Sequence, residues 1–433
     1  MLPQGTQCPS GAACCGHNIH RGHSGHKGHR GHSGHKGQGA TGKRSIEATE
    51  FEMPKTAFRL NLVPVDRTLV VVCFLLFLIS ITLIASASVQ EAFISTGDPY
   101  YYVKRQLIFI AVSIVWGLLM STIPSKTWYA VAPYLMIFTI FLLILLLIVG
   151  REINYATRWI DLGPVNFQPA ELLKVAWVLY FSRYVCLKIN NLRNSFVGFL
   201  KPMGFIAIVA FLLLLQPDFG SLAVVTAISF GLLFVAGAGL LKYLLILGVV
   251  GLVGAGLVWL QPYRMARVLS FLDPWQDPFG EGYQLTQSLM AFGRGGLWGE
   301  GIGNSIQKLG YLPEAHTDFV MAIVGEECGF IGLCVVILLE FILVFKALFL
   351  SFKILRQRSQ FQGYVAFGLG MFFCLQTFIN IGAATGGLPP KGLTLPLISY
   401  GGSSLVMCSW AIGILLRIDF EWRHRKLGDL RYD

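Results

Sequence analysis

The chain has 433 residues, of which 54% are hydrophobic and only 13% charged, and its formal net charge is +11. Soluble domains carry about 25% charged residues, so the composition excludes a soluble globular protein and indicates an integral membrane protein. The positive charge is not concentrated on one predicted face, and this argues against a nucleic-acid-binding protein.

The N-terminal segment is unusual because residues 16–37 repeat Gly-His with a period of three and contain seven of the nine histidines. Histidine-rich tracts can bind transition metals, but a glycine-rich segment without a run of apolar residues is more typical of a disordered tail. A translation start at Met53 is a second explanation. We predict that residues 1–60 form a cytoplasmic tail and that function lies in the rest of the chain.

Ten apolar runs follow the tail, and each is long enough to cross a bilayer as a helix of about 20 residues. They lie at about 68–88, 106–123, 128–149, 171–187, 195–215, 219–238, 240–260, 318–349, 361–385 and 396–417. The pattern predicts an all-α polytopic membrane protein with about ten transmembrane helices. No cleavable signal peptide precedes the first run, so we expect that run to be an uncleaved anchor.

The orientation of these helices is predicted from the short loops. Lysine and arginine are frequent in residues 188–194, in residues 351–360 and in the C-terminal tail, and such loops face the cytoplasm. Both termini are therefore expected in the cytoplasm. The predicted membrane domain spans 61–420, and residues 421–433 form a second cytoplasmic tail.

The loop before the fourth run, "REINYATRWIDLGPVNFQPAELLKVAW", is expected outside. Glu171 follows Pro169 closely enough to cap free amides of the new helix, and its spacing from Lys174 allows an ion pair. A helix cap with a neutralising lysine explains these two residues. Arg158 and Trp159 are more than a cap requires, so the group also predicts a binding site.

The largest predicted outer loop, at about 261–317, lies between the seventh and eighth helices. Its segment "YQLTQSLMAFG" is short and amphipathic, which favours a helix in the membrane interface. The glycine-rich segment "GRGGLWGEGIGNS" has backbone amides that suit a phosphate, although such turns occur in many loops. A loop of this length more often has a function than serves only as a connection between helices.

The stretch "YLPEAHTDFVMAIVGEECGF" (311–330) places His316, Asp318, Glu326 and Glu327 at the start of the eighth apolar run. Carboxylates inside a membrane cost about 2.5–3.5 kcal/mol each, so they indicate function by default. Asp318 can also be explained as a helix N-cap. Glu326 lies eight residues further, about 12 Å deeper on a helix, and is expected to face the same cavity as Asp318.

The last outer loop, at about 385–405, adds Lys391 and Ser403 to the candidate polar residues. Gln376 and Asn380 lie four residues apart on the preceding helix and are explained by hydrogen bonds between helices. Charged residues are thus concentrated in the outer half of the protein. This distribution predicts a cavity that opens outward, with cations for an anionic head group and a carboxylate for proton transfer.

Four stretches resemble the SEDS family (shape, elongation, division, sporulation), and within it the division branch more than the elongation branch. They are "RWIDLGPVNFQPAEL" (158–172), "DPFGEGYQLTQSLMAFGRGGLWGEGIGNS" (277–305), "YLPEAHTDFVMAIVGEE" (311–327) and "GGLPPKGLTLPLISYGGSSL" (386–405). The resemblance covers about residues 60–420. The N-terminal tail departs from the family pattern.

The resemblance implies a membrane enzyme that polymerises peptidoglycan glycan strands from lipid II at the outer face of the bacterial inner membrane. It implies location at the division septum, a class B penicillin-binding protein as partner, and contacts with other divisome proteins. By motif, Asp318 matches the essential aspartate of the family. Trp159, Glu171 and Lys174 match polar positions around its cavity.

The reaction implied by the resemblance moves an undecaprenyl-pyrophosphate-linked glycan onto the 4-hydroxyl of an incoming lipid II. We expect Asp318 to act as the general base. Arg158, Lys174 and Lys391 are the candidate cations for the leaving pyrophosphate, and a divalent cation, Mg²⁺ or Mn²⁺, can assist. His316, Glu326 and Ser403 are further candidates for substrate binding.

Two other functions are compatible with a polytopic membrane protein. A lipid II flippase needs a polar path through the inner half as well, and the scarcity of charges there argues against it, although rocking domains can expose alternate sides. A scaffold for division proteins does not require carboxylates deep in a helix. The sequence therefore favours an enzyme.

Overall fold

The computed structural model describes residues 66–429, except 154–155, 162, 164–165, 261–264, 266–268, 281, 358 and 391. The predicted tail at 1–60 and the last four residues lie outside the described part. The predicted domain boundaries at 60 and 420 stay predictions.

Helices form most of the described chain. They are α1 (Arg67–Ala87), α2 (Val89–Thr96), α3 (Tyr101–Thr122), α4 (Ser125–Val149), α5 (Pro169–Asn194), α6 (Phe196–Leu215), α7 (Phe219–Val235), α8 (Leu240–Trp259), α9 (Tyr283–Gly295), α10 (Val320–Arg356), α11 (Gln360–Ala384) and α12 (Gly402–Asp429). A helix lies at each of the ten predicted runs, and α9 contains the predicted amphipathic segment.

Seven of the described helices are long and apolar enough to cross a membrane: α1, α3, α4, α6, α10, α11 and α12. Helix α7 and the central part of α8 are apolar but shorter, while α5 carries several charged residues. The all-α polytopic fold is confirmed. The number of ten crossings and the extent of the large outer loop stay predictions.

A small antiparallel sheet follows α4 and was not predicted. Its strands are β1 (Arg151–Ile153), β2 (Ala156–Asp161) and β3 (Asn166–Phe167), in the order β1-β2-β3. The strands are short and polar, so they lack the alternating apolar pattern by which a strand is predicted. The sheet carries Trp159 and Arg158, and the Arg158 side chain reaches the Pro217 carbonyl between α6 and α7.

Contacts between helix ends define two faces of the protein. On what we call the Asp318 face, the Tyr400 amide donates to the His316 carbonyl at 3.0 Å. On the opposite face, which we call the Asp66 face, Lys346 Nζ lies 2.9 Å from Asp66 Oδ2. Helix α10 joins the two faces with 37 residues, about 55 Å at 1.5 Å per residue, and therefore exceeds a hydrocarbon core of about 30 Å.

The core is formed by α5, α7, α11 and α12, in which apolar side chains are buried on most sides. Trp177 of α5 is completely buried, stacks on Phe181 with ring centroids 5.4 Å apart, and donates to Ser229 Oγ of α7 at 2.7 Å. Helices α3 and α12 approach closely, because a Cβ on Gly413 would lie 2.4 Å from the Gly117 carbonyl oxygen. Small residues permit such contacts between membrane helices.

Helix α10 is broken at Gly329, whose φ of 65° is outside the helical range. A break in a membrane helix leaves backbone groups that need new partners. The glycine-rich segment after α9 supplies them: the Glu300 amide donates to the Glu326 carbonyl at 2.9 Å, and the Gly301 amide to the Glu327 carbonyl at 3.0 Å. These amides are therefore engaged within the protein and do not face a phosphate.

Glycines allow this segment to lie directly on α10. A Cβ on Gly295 would lie 1.8 Å from the Gly325 carbonyl oxygen, and a Cβ on Gly299 would lie 2.2 Å from that of Glu327. Any other residue at these positions would push the segment away from the helix. The glycine pattern is thus explained by backbone packing.

Candidate functional site

Asp318 lies just before α10 on the Asp318 face, and the structure shows that it does not cap the helix. Phe319 occupies the N-cap position, and the helix start has no side-chain cap. The Asp318 amide donates to the Glu314 carbonyl at 3.2 Å. The explanation of Asp318 as an N-cap is therefore wrong, and helix capping does not account for its carboxylate.

Asn380 of α11 fixes the backbone around Asp318. Its Nδ2 donates to the Asp318 carbonyl at 2.9 Å and to the Leu393 carbonyl at 2.7 Å. One buried amide thus joins the start of α10 to the loop before α12. The predicted hydrogen bonds between helices are not found: the Asn380 partners are backbone carbonyls outside the helices, and the side-chain amide of Gln376 has no hydrogen-bond partner among the described residues.

Asp318 and Arg158 border the same space beside Gly392. A Cβ on Gly392 would lie 3.2 Å from Asp318 Oδ2 and 3.5 Å from Arg158 Nη1. Arg158 is held from the other side, because its Nη2 donates to the Pro217 carbonyl at 2.5 Å. Gly392 is exposed, so a carboxylate and a guanidinium meet at a position that a ligand can reach.

The environment of Asp318 changes its acidity. Burial and, to a smaller extent, the nearby Glu314 carboxylate raise the pKa of its carboxyl from 3.8 to about 7, although Arg158 and His316 act in the opposite direction. A carboxyl with a pKa near neutrality can accept and release protons at physiological pH. Asp318 therefore has the property that a general base needs.

His316 lies close enough to act on the Asp318 carboxyl, whereas Trp159 is the chain neighbour of Arg158. Trp159 is half-buried and follows Arg158 in β2, so its side chain points to the opposite side of the strand. The buried His316 ring packs against Tyr102 and Tyr400, with centroids 4.7 and 5.4 Å apart.

His316 also contacts α2. Its Nδ1 lies 3.1 Å from Glu91 Oε2, and this contact lowers the pKa of the Glu91 carboxyl. The side chain of His316 thus braces α2 against the loop that carries Asp318.

Glu171 and Lys174 form the predicted ion pair, with Lys174 Nζ 2.7 Å from Glu171 Oε1. The predicted cap is absent, because no side-chain cap is present at the start of α5 and Glu171 Oε2 has no hydrogen-bond partner among the described residues. Both side chains are buried, and Lys174 Nζ lies 5.4 Å from the centre of the Phe372 ring. The pair is closed off from solvent in this structure.

Glu326 is not brought to Asp318. Its Oε1 accepts from the Ile306 amide at 2.9 Å and contacts Arg294 Nη1 at 3.2 Å. Its Oε2 accepts from the Ser305 hydroxyl and, at 3.3 Å, from the Gln307 amide. Because donors of the preceding loop surround the carboxylate, the shared cavity expected from the eight-residue spacing is not formed.

The two remaining candidates lie in or next to the loop before α12. Ser403 Oγ donates to the Asn166 carbonyl at 3.0 Å and accepts from the Gln168 amide at 3.2 Å, so it ties α12 to β3 and the start of α5. Lys391 lies outside the described residues and stays a prediction. Its neighbour Gly392 is at the site.

Sequence reasoning noted Glu327 without giving it a role, and it missed Glu340 and Gly392. Glu327 is fully buried and contacts Lys308 Nζ at 2.9 Å and the Ser86 hydroxyl at 2.6 Å. Glu340 is fully buried in α10 and accepts from the Thr377 hydroxyl at 3.2 Å. A carboxylate within an apolar run was the available signal for both, whereas nothing in the sequence marks Gly392.

Metal ligation by protein side chains has no support in the described part of the chain. No group of three or more His, Cys, Asp and Glu side chains there is arranged to hold a metal ion. Assistance by Mg²⁺ or Mn²⁺ stays a prediction, and Arg158 is the cation that the structure places beside Asp318.

Comparison with known proteins gives consistent matches over the membrane region. The family model described as "Cell cycle protein" (FTSW_RODA_SPOVE) matches residues 66–424. The chain is 49% identical over 360 residues to the probable peptidoglycan glycosyltransferase FtsW of Aeromonas salmonicida, covering 83% of this chain and 91% of that protein. It is 45% identical over 366 residues to the protein of the same name from Escherichia coli O157:H7, covering 84% and 88%.

Solved structures with the same fold are also similar. A chain of "Structural coordination of polymerization and crosslinking by a peptidoglycan synthase complex" matches with a TM-score of 0.68 and 31% identity, covering 82% of this chain and 97% of that one. The rod shape determining protein RodA of Thermus thermophilus matches with a TM-score of 0.61 and 27% identity, covering 83% and 97%.

Proposed function

Because the chain belongs to the FtsW, RodA and SpoVE family and is a peptidoglycan glycosyltransferase, we propose that it polymerises glycan strands from lipid II during septal wall synthesis. The membrane fold and the site at Asp318 support this function. The single observation that carries the proposal is the meeting of the Asp318 carboxylate and the Arg158 guanidinium beside Gly392.

In the proposed reaction, the 4-hydroxyl of one lipid II attacks the anomeric carbon of the lipid-linked glycan donor. Asp318 accepts the hydroxyl proton as the new glycosidic bond forms. The bond between the anomeric carbon and the pyrophosphate oxygen breaks, and undecaprenyl pyrophosphate leaves with the electron pair. Arg158 stabilises the negative charge that develops on the leaving group.

The arrangement in the cell is part of the same proposal. The Asp318 face lies at the outer surface of the inner membrane, and both termini lie in the cytoplasm. A class B penicillin-binding protein crosslinks the strands, as supported by the similarity to a chain from a complex named for polymerization and crosslinking. Residues 1–60 form a dispensable tail, and contacts with other divisome proteins direct the protein to the septum.

The test is glycan synthesis from purified lipid II by the full-length protein together with its partner transpeptidase. Wild type, Asp318→Asn and a version that starts at Met53 are compared by separating the polymer products. We expect polymer from the wild type and from the truncated version, and none from Asp318→Asn.

The same protein versions are also reconstituted into liposomes, and the movement of lipid II between the two leaflets is measured. Retained polymerisation in Asp318→Asn would exclude Asp318 as the base. If every sample moved lipid II between leaflets and none made polymer, the protein would be a flippase and not a polymerase.

A further inference from the structure

The Asp66 face contains a cavity of about 120 Å³ that no part of the proposed reaction uses. Its lining residues come from the start of α1 and the ends of α10 and α12, and the charged and aromatic ones are Asp66, Lys346, Phe349, Lys353, Asp419, Trp422 and Arg423. About 33 residues of α10 separate Lys353 from its first residue, or about 50 Å. The cavity is therefore distinct from the Asp318 site.

Two cations of the cavity are already neutralised within the protein. Lys346 Nζ lies 2.9 Å from Asp66 Oδ2, and Arg423 Nε lies 2.8 Å from Asp419 Oδ2. Arg423 Nη2 also approaches Asp66 Oδ2 at 3.8 Å. The contact with Lys346 helps to lower the pKa of the Asp66 carboxyl despite its partial burial, so Asp66 is ionised at neutral pH.

Lys353 is the third cation, and it has no carboxylate partner among the residues that the structure describes. Its Nζ lies 4.1 Å from the centre of the Phe349 ring and 5.4 Å from that of Trp422. Aromatic rings hold an ammonium group without neutralising it. The cavity therefore carries a net positive charge that an external anion can neutralise.

An apolar surface continues from the cavity along α10. Phe341, Phe345 and Phe349 stack with ring centroids 6.1 and 5.6 Å apart, and all three are exposed on a helix that is apolar enough to cross the membrane. Phe349 belongs to both the cavity and this row. A ligand with an anionic head and an apolar chain matches the two features together.

We propose that this cavity binds the head group of an anionic phospholipid, with its phosphodiester at Lys353 and an acyl chain along the three phenylalanines. Basic pockets between membrane helices bind anionic lipid head groups by this chemistry.

The test uses the full-length protein in detergent and native mass spectrometry with dioleoylphosphatidylglycerol or dioleoylphosphatidylcholine. The variant is Lys353→Gln, and the matched control is Arg356→Gln. Arg356 lies in the same last turn of α10 and 4.3 Å from the ring of Phe352, but it does not line the cavity. Both cations lie in the last turn of α10, and only Lys353 lines the cavity, so the comparison isolates the cavity.

We expect one tightly retained phosphatidylglycerol in the wild type and weaker retention of phosphatidylcholine. Loss of one cation–lipid contact weakens binding about fivefold, so Lys353→Gln reduces retention by that factor while Arg356→Gln and Lys353→Arg do not. If Lys353→Gln does not fold, Phe349→Leu is used instead and is expected to reduce retention of the same lipid.

Three outcomes would overturn the proposal. Equal losses in Lys353→Gln and Arg356→Gln would indicate general attraction to a basic surface. Equal retention of the two lipids would exclude recognition of an anion. Binding of glycerophosphoglycerol or inorganic phosphate as tight as that of the lipid would identify a site for a small anion.

Discussion

At the scale of single residues, the site depends on a carboxyl group whose pKa lies close to neutral pH. Burial raises the pKa of Asp318 to about 7, so both the ionised and the protonated forms are populated at neutral pH. The Arg158 guanidinium lowers the pKa of Asp318 and thereby increases its ionised fraction, because its positive charge opposes the effect of burial. The same guanidinium is available for the phosphate that leaves.

This balance predicts the pH dependence of the reaction. A general base works only when it is ionised, so the polymerisation rate should fall as the pH decreases through about 7. Initial rates with saturating lipid II across this range would measure the effect. A rate that stays constant down to the ordinary pKa range of aspartate would contradict the assignment.

The raised pKa also predicts a change in stability. Because the folded-state pKa of Asp318 lies above the unfolded value of 3.8, the folded protein binds the proton more tightly, and stability is lost as the pH rises through about 7. Asp318→Asn removes this loss. We expect the variant to melt about 2–4 °C above the wild type at alkaline pH, with a smaller difference at acidic pH.

Thermal unfolding of both proteins in the same detergent measures this difference. Asn also keeps the side-chain volume, so a variant that melts lower at every pH would show that Asp318 stabilises the fold and would contradict this prediction.

Gly392 provides a test of the space between the two functional groups. The methyl of Gly392→Ala would lie 3.2 Å from Asp318 Oδ2 and 3.5 Å from Arg158 Nη1, where it excludes a substrate oxygen. We expect activity to fall about 10–100-fold, since small misplacements at a reacting centre have effects of this size. Polymer yield and melting temperature are measured together.

The matched control is Gly387→Ala in the same loop. Its added methyl meets no atom closer than 3.6 Å, so it should leave the activity unchanged. Equal effects of the two substitutions would mean that loop conformation, and not the space at Gly392, limits the reaction.

At the scale of elements, the role of the buried ion pair of Glu171 and Lys174 in α5 can be determined by measuring stability and activity separately. Lys174→Met leaves the Glu171 carboxylate buried and unpaired, and the loss of one partner of such a pair costs about 3–5 kcal/mol. The double variant Glu171→Leu, Lys174→Met removes both charges and should regain most of the stability. Thermal unfolding measures the first effect.

Polymerisation by the double variant then decides the role of the pair. A stable and active double variant would show that the pair holds α5 in place. A stable but inactive one would show that these charges serve the substrate, as the family resemblance implies.

The helices were predictable because each is an apolar run of membrane length, and their ends agree with turn residues such as Asp218, whose Oδ1 accepts from the Ser221 amide at 3.0 Å. The pair of Glu171 and Lys174 was predictable because a spacing of three is fixed by the helix itself. These features depend only on residues that are near one another in the chain.

Features that depend on distant residues were not predictable. The direction of Glu326 follows from the loop at 305–307 and from the break at Gly329, and neither appears in a helical periodicity. The approach of Arg158 to Asp318 needs β2, α10 and the loop at Gly392 together. The chain sequence contains the three segments but not the distances between them.

At the scale of the whole molecule, the protein has two faces with different chemistry. The Asp318 face carries the sheet, α9 and the candidate site. The Asp66 face carries the lipid cavity and a hydrogen-bonded group in which Gln362 Nε2 donates to Glu421 Oε2 at 2.6 Å and Arg417 pairs with the same residue. Substrate chemistry and head-group binding are therefore separated by the thickness of the membrane.

This polarity leads to a prediction about orientation. Lys and Arg are frequent in the loops of the Asp66 face, so that face should lie in the cytoplasm. In a background without the native cysteines, Glu300→Cys and Gln357→Cys place one thiol on each face, and both positions are exposed.

A maleimide that does not cross the membrane should label Glu300→Cys in spheroplasts and Gln357→Cys only after the membrane is permeabilised. The opposite labelling would place Asp318 on the cytoplasmic side. There the site would meet the lipid-linked glycan before it is moved to the outer surface. The site would then act before translocation, and the enzyme could not extend strands at the septum.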